Sequence, residues 1–326
     1  MLGITIGLVS LGCSAYLCLL LVEKFAFEKV LYQKSCLHGY MFEKNLLCRW
    51  LYDQRTKDLT KMFDAKMRDE VVKKSSYRVA VIGDSMIFGT GVRESQTAVS
   101  HLKQILKTHR PVEVWNLSQS GDGIVDNYYK YLTAKKYLEP DLIIIAMYDN
   151  DLFISEQTPL PYVNYGENEV FRDLMSVCNQ PISTTNNEMF ANDNWGYLLN
   201  EIFAPSFSPA YANRCMLQEI AHRVANDDKV LWLDLSYVPD AIRSPNNEGW
   251  SKDYVLYDTI FYDYHTIVTA AGNQVITTLK DGKVYFETVA PVENHPSVKI
   301  HQWYAKVMAD ELLKNPRWGF IESTNK

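Results

Sequence analysis

The chain has 326 residues, with 33 Lys plus Arg against 39 Asp plus Glu and a formal net charge of −6. A nucleic-acid binder usually carries a basic excess or a basic stripe; neither is present, so nucleic acid is not expected as a partner. With 47% apolar and 22% charged residues, the chain has enough apolar material for a sizeable core, and a wholly disordered polymer is excluded.

The first element in chain order is apolar. Residues Leu2 to Val22 carry no charge, and about 21 residues at 1.5 Å each span roughly the hydrocarbon core of a bilayer. The rival reading is a cleaved signal peptide. No basic residue precedes the run, however, and it ends Leu21-Val22-Glu23 without a small-x-small cleavage site. Cys13 follows Ser10-Leu11-Gly12, a poor lipoprotein box. Residues 1–22 are therefore expected to be a transmembrane anchor or signal-anchor that makes the membrane a partner. Lys24, Lys29 and Lys34 flank its carboxyl side, which on the positive-inside rule alone would put the body in the cytoplasm.

Residues 23–74 read as a polar, helical juxtamembrane region. Leu47, Trp50, Leu51, Leu59, Met62, Phe63 and Met67 recur at spacings near three and four, the mark of an amphipathic helix. Such a helix suits a stalk, a dimer contact or a cap on the body, and the cap is the simplest of the three.

The body, residues 75–326, alternates apolar strands with helical stretches. Strands are expected at Tyr77–Ile82, Val112–Leu117, Leu142–Met147 and Val230–Leu235. Helices are expected near Thr97–Lys107, Ile124–Leu138, Tyr211–Val224 and Val298–Leu313. The continuous apolar run of Leu142–Met147 fits a strand covered on both faces. The pattern predicts a three-layer α/β sandwich with a mainly parallel sheet, whose sites lie at the carboxyl ends of the strands. Two insertions interrupt it. Residues 152–210 are rich in Pro, Asn and Ser and read as weakly structured, with a lid or local structure expected in so long a stretch. Residues 253–290 read as added β structure, with Gln274–Leu279 and Lys283–Thr288 flanking a Lys280-Asp281-Gly282 hairpin turn.

Of six cysteines, Cys178 and Cys215 alone lie in the body. They are open to two readings, a disulfide or two buried thiols. No CxxC pair, HExxH or acidic metal ladder occurs, so neither metal nor cofactor is implied.

Polar residues gather where strands end. Gly83-Asp84-Ser85 follows the first strand, Asn116 to Gly123 (NLSQSGDG) the second, and Tyr148-Asp149-Asn150-Asp151 the third; Glu293-Asn294-His295-Pro296 precedes the last helix. Together these four blocks resemble the SGNH or GDSL-type hydrolases. Departures are Met86 for the trailing Leu, Tyr148 for a Gly before Asn150-Asp151, and Val292 and Glu293 at the places three and two before the His, where the family usually has an Asp.

The resemblance covers about 77–151 and 290–314. It implies a flavodoxin-like α/β/α fold and a serine esterase acting on an acyl ester, short-chain or a glycan O-acetyl group, through an acyl-serine intermediate. An O-acyltransferase acting on a cell-envelope polysaccharide uses the same acyl-serine step and stays open, as does a non-catalytic envelope protein on the same scaffold. The resemblance to envelope esterases also sets the catalytic body outside the cytoplasm, against the flanking lysines.

The implied roles fit the chemistry. Ser85, at a strand-to-helix turn, would be the nucleophile, and His295 the base that removes its proton, since imidazole titrates near neutrality. The Ser85 amide, the Gly121 amide and the Asn150 side chain would donate to the oxyanion. Glu293, two places before His295, would orient the ring; a backbone carbonyl in its place would leave a Ser–His dyad. Asp84 is expected to fix the turn rather than ligate metal. His101, His109, His222, His265 and His301 have no such context and receive no role.

Overall fold

The computed structural model describes residues 56–148, 151, 169–178, 209–235, 264–283, 285–290 and 293–321. Five strands form one sheet: β1 (Tyr77–Ile82), β2 (Val112–Asn116), β3 (Leu142–Met147), β4 (Val230–Asp234) and β5 (Gln274–Thr277). Their order is β2-β1-β3-β4-β5, and every neighbouring pair is parallel. β1, β3 and β4 are buried along their whole lengths, as parallel strands covered on both faces must be. The register sets Ile82 beside Ile145 and Met147 beside Asp234, so β3 and β4 end level and β1 two residues earlier.

Alternate residues face opposite layers. On one face Ala80, Ile82, Ile143, Ile145, Met147 and Trp232 pack under α1 (Lys57–Arg68), α4 (Ile124–Tyr137), α5 (Glu169–Cys178), α6 (Pro209–Val224) and helical residues 264–270. On the other, Val79, Val81, Leu142, Ile144, Ala146, Leu231 and Leu233 pack under α2 (Ser85–Phe88), α3 (Ala98–Leu106) and α7 (Val298–Lys314). The result is a three-layer α/β/α architecture. In α7 the buried residues Ile300, Tyr304, Met308 and Leu312 recur every four positions and line the stripe that meets α3. Each such aliphatic side chain contributes roughly 1.5–3 kcal/mol by burial, so Leu312→Ala would cost about 2–5 kcal/mol. Thr97 caps α3 by accepting from Ser100 N (3.2 Å).

The opposite edge of the sheet, at the amino ends of the strands, is sealed by one arginine. Arg78 is fully buried in β1. Its guanidinium donates to the carbonyls of Val72 (3.2 Å), Lys73 (2.8 Å) and Leu138 and to Glu113 Oε2 (3.0 Å). Burial pushes Glu113 up, but hydrogen bonds from Ser75, Trp115 and Ser76 and the charge of Arg78 outweigh it and hold the carboxyl at about 2.

The amphipathic helix packs on the body as a cap. Leu59, Met62 and Phe63 of α1 enter the core while Met67 stays exposed; Leu47, Trp50 and Leu51 lie outside the described residues. Cys178 and Cys215 form a disulfide, with Cα atoms 5.6 Å apart, that ties α5 to α6. Thus the 152–210 stretch contributes a helix to the core through Leu174 and Cys178.

Two expectations change. The Asp281-Gly282 turn forms, with φ of 52° and 73° and reciprocal bonds between Lys280 and Lys283, but the hairpin does not extend. Gln274–Thr277 instead adds to the main sheet, parallel to β4. The antiparallel pair is β6 (Thr288–Ala290) with β7 (Glu293–Pro296). Turn chemistry is local, whereas pairing follows burial: Val275 and Ile276 pack against the two cores at the β4 edge.

The expected membrane anchoring is also corrected. Among the described residues no helix is long and apolar enough to cross a membrane. The longest, α7, has 17 residues and carries Lys299, Lys306, Asp310, Glu311 and Lys314. The segment 2–22, on which the anchor rested, lies outside the described residues. The transmembrane, signal-anchor and extracytoplasmic assignments, and the membrane as a partner, are withdrawn.

Candidate active site

β1 ends in Gly83-Asp84-Ser85. A Cβ on Gly83 would lie 3.2 Å from the Ala146 carbonyl oxygen and 3.3 Å from the Ala146 and Ile87 Cβ atoms, so glycine permits the close approach of this turn to β3. Asp84 caps α2, its Oδ1 accepting from Met86 N at 2.9 Å, which is the turn-fixing role expected of it. Ser85 opens α2 with 6% exposure, and its Oγ donates to Asp84 Oδ2 at 3.2 Å. α2 stops after one turn because Gly89 takes φ 86°.

The block after β2 is stitched to this turn. Leu117 N donates to Val81 O (2.8 Å) and Gln119 N to Gly83 O (3.1 Å). Gly121 then adopts φ 89°, which favours glycine, and is exposed. Its neighbours are not: Asp122 is 4% exposed and forms an ion pair with the fully buried Lys130. Gly123 N donates to Asp126 Oδ2 at 3.0 Å. Burial pushes the Asp122 carboxyl above the usual range; Lys130 opposes this, and Asp126 and Asp84 add to it.

After β3, Tyr148 and Asp151 close on each other, Asp151 N to Tyr148 O (3.0 Å) and Tyr148 N to Asp151 Oδ2 (2.9 Å). Asn150 lies between them in sequence and outside the described residues. His295 stands on β7, half-buried, and β7 packs against α2, the helix that Ser85 opens. Glu293 begins β7, in register with Ala290. Of the expected residues, Ser85, Gly121 and His295 thus come to one corner of the sheet.

The structure adds residues that the sequence reading passed over. Asp234, 2% exposed at the carboxyl end of β4, meets His265 Nδ1 at 3.1 Å. An acidic residue closing an apolar strand was the available signal. Tyr264 is buried beside them, and burial, then Asp234 and Asp151, push its phenol up. Tyr304 is likewise pushed up by burial, then by Tyr148 and Asp84. His301 is structural: it is fully buried, and Nδ1 accepts from Ala98 N at 3.2 Å, joining α7 to the start of α3. Among the described residues no cluster of three or more His, Cys, Asp or Glu could hold a metal ion.

No protein-family model matches the chain, and no curated protein matches it. Solved structures similar to it are esterases and lipases. A psychrotrophic esterase from Pseudoalteromonas is 14% identical with a TM-score of 0.42, over 73% of this chain and 97% of that one. A lipolytic protein of the G-D-S-L family from Desulfitobacterium hafniense is 12% identical with a TM-score of 0.40, over 72% and 98%. An acetylxylan esterase from Geobacillus stearothermophilus is 13% identical with a TM-score of 0.40, over 77% and 97%. Likeness at this level carries no residue roles or activity over to this chain.

Proposed function

We propose that the protein is a serine esterase of SGNH type that hydrolyses a short acyl ester, a glycan O-acetyl group among them, through an acyl-Ser85 intermediate. The catalytic unit is residues 75–326 on a flavodoxin-like scaffold. The observation that carries the reading is the convergence at one strand end: the Gly121 loop is bonded to Gly83 (3.1 Å) and the His295 strand packs on the Ser85 helix. The strand order supports it, because chain direction across the sheet reverses around β1 and β3, and crevices of parallel sheets bind ligands at such a switch. The low exposure of Ser85 favours a small acyl group.

In this mechanism Ser85 Oγ gives up its bond to Asp84 Oδ2. It attacks the ester carbon as His295 takes its proton, and the amides of Ser85 and Gly121 with the Asn150 side chain receive the oxyanion. Collapse expels the alcohol, which takes the proton from His295. Water then repeats the sequence and releases the acid. Glu293 orients His295 and steadies the imidazolium. A panel of acetyl to octanoyl esters, read for acid release, tests this. Turnover should favour the short acyl chains and vanish in Ser85→Ala; Ser85→Ala within tenfold of wild type in kcat would refute the nucleophile.

A further inference from the structure

The loop that carries Gly121 is held from behind by charges that the acyl-transfer steps do not use. Lys130, in the second turn of α4, has no exposed surface, and its ammonium meets Oδ2 of Asp122, the residue directly after Gly121. Two carboxylates beside Asp122 act on it, Asp126 and Asp84. Asp126 holds Gly123 N at 3.0 Å, and Asp84 caps the Ser85 turn through Met86 N at 2.9 Å. Lys130 thus pairs with the carboxylate of the glycine loop, and that carboxylate in turn feels Asp84 of the nucleophile turn.

Stability does not account for this arrangement. Desolvating an ammonium and a carboxylate offsets most of their attraction, and an apolar pair of similar volume usually holds a core as well or better. The best-attested use of a buried ion pair is to fix a register. Gly121 needs one: at φ 89° and without a side chain, it takes the direction of its N–H from its neighbours alone. We propose that the Asp122–Lys130 pair is a positioning device that fixes the Gly121 peptide, so that its N–H is aimed at the oxyanion formed on Ser85.

The inference rests on the esterase reading and deepens it. A preorganised donor acts only in the transition state, so its misalignment lowers kcat and spares KM. The test is the double variant Asp122→Leu/Lys130→Met, which removes both charges and leaves no buried charge of the pair unpaired. It is compared with wild type by thermal melting and by steady-state kinetics on a turned-over ester. The expected result is a melting temperature at or above that of wild type, KM within about threefold, and kcat lowered by about 30-fold or more, as for a small misplacement of a catalytic group.

Lys130→Arg, which keeps the charge, should fall between the two in kcat. A folded double variant with kcat within about threefold of wild type would overturn the proposal. Should the double variant not fold, Lys130→Arg decides by the same split: lowered kcat with KM unchanged supports positioning, and unchanged kcat overturns it. Wild type without turnover of any ester would overturn the esterase reading and this inference with it, whereas turnover indifferent to the pair overturns the inference alone.

Discussion

The two edges of the central sheet are built on opposite principles. At the amino edge, Arg78 spends its guanidinium on three backbone carbonyls and Glu113, while Asp141 takes both its backbone N–H (2.7 Å) and Lys74 (2.5 Å). At the carboxyl edge, Ser118 Oγ, Asp122 Oδ1, Asn127 Oδ1, Tyr264 OH and Tyr304 OH are buried with no protein partner among the described residues. A native core satisfies nearly all its buried polar groups, so these five atoms set the carboxyl edge apart from the amino edge. The fold thus concentrates its polar network at the amino edge, and the proposed chemistry falls at the other. Changes at the carboxyl edge should then cost rate without stability, and changes at the amino edge the reverse.

The largest effect expected is at His295. His295→Gln should lower kcat by about 10⁴-fold or more, as loss of a catalytic base does, with the melting temperature held within a few degrees. A comparable fall in stability would erase the distinction between the edges. Asn150→Ala should lower kcat by about 10²- to 10³-fold with KM little changed, the cost of one oxyanion donor. A change confined to KM would make Asn150 a substrate contact instead.

At the amino edge, Arg78→Met should cost about 3 kcal/mol in urea unfolding, because it orphans three carbonyls and a carboxylate together. The folded variant should retain kcat within about threefold. The smallest effect is the acid limb of stability. The Glu113 carboxyl sits near 2 against an ordinary 4.5. A depressed carboxylate contributes stability that is present above its unfolded value and lost as pH falls through its folded one. Melting temperature should therefore decline between about pH 4.5 and 2, and Glu113→Gln should flatten that decline without altering kcat at neutral pH.

How much of this was legible in the sequence follows from how local each signal is. β3 is a continuous apolar run and β1 one interrupted by Arg78, and their bounds in the structure are the expected ones. Gly83-Asp84-Ser85 announces a turn because its cap spans two residues. The Asp122–Lys130 pair was hidden, since an aspartate on a loop and a lysine in a helix, eight positions apart, look like two solvated charges until the helix folds back on the loop. Asp234 and His265 are separated by 31 residues and only the β4 end brings them together. β5 was expected as a strand but given the wrong partner, because Asp281-Gly282 announces a turn, while the partner of the preceding strand is set by which sheet edge lies open beside it.

On the proposed reading, Ser85 is the activated nucleophile at the carboxyl edge. Incubation of the intact protein with a fluorophosphonate, followed by mass spectrometry and peptide mapping, tests it most directly. The expected result is a single phosphonyl adduct on the peptide containing Ser85, absent in Ser85→Ala and slowed by orders of magnitude in His295→Gln. An adduct on any other residue, or none on a folded wild-type protein that turns over esters, would contradict it.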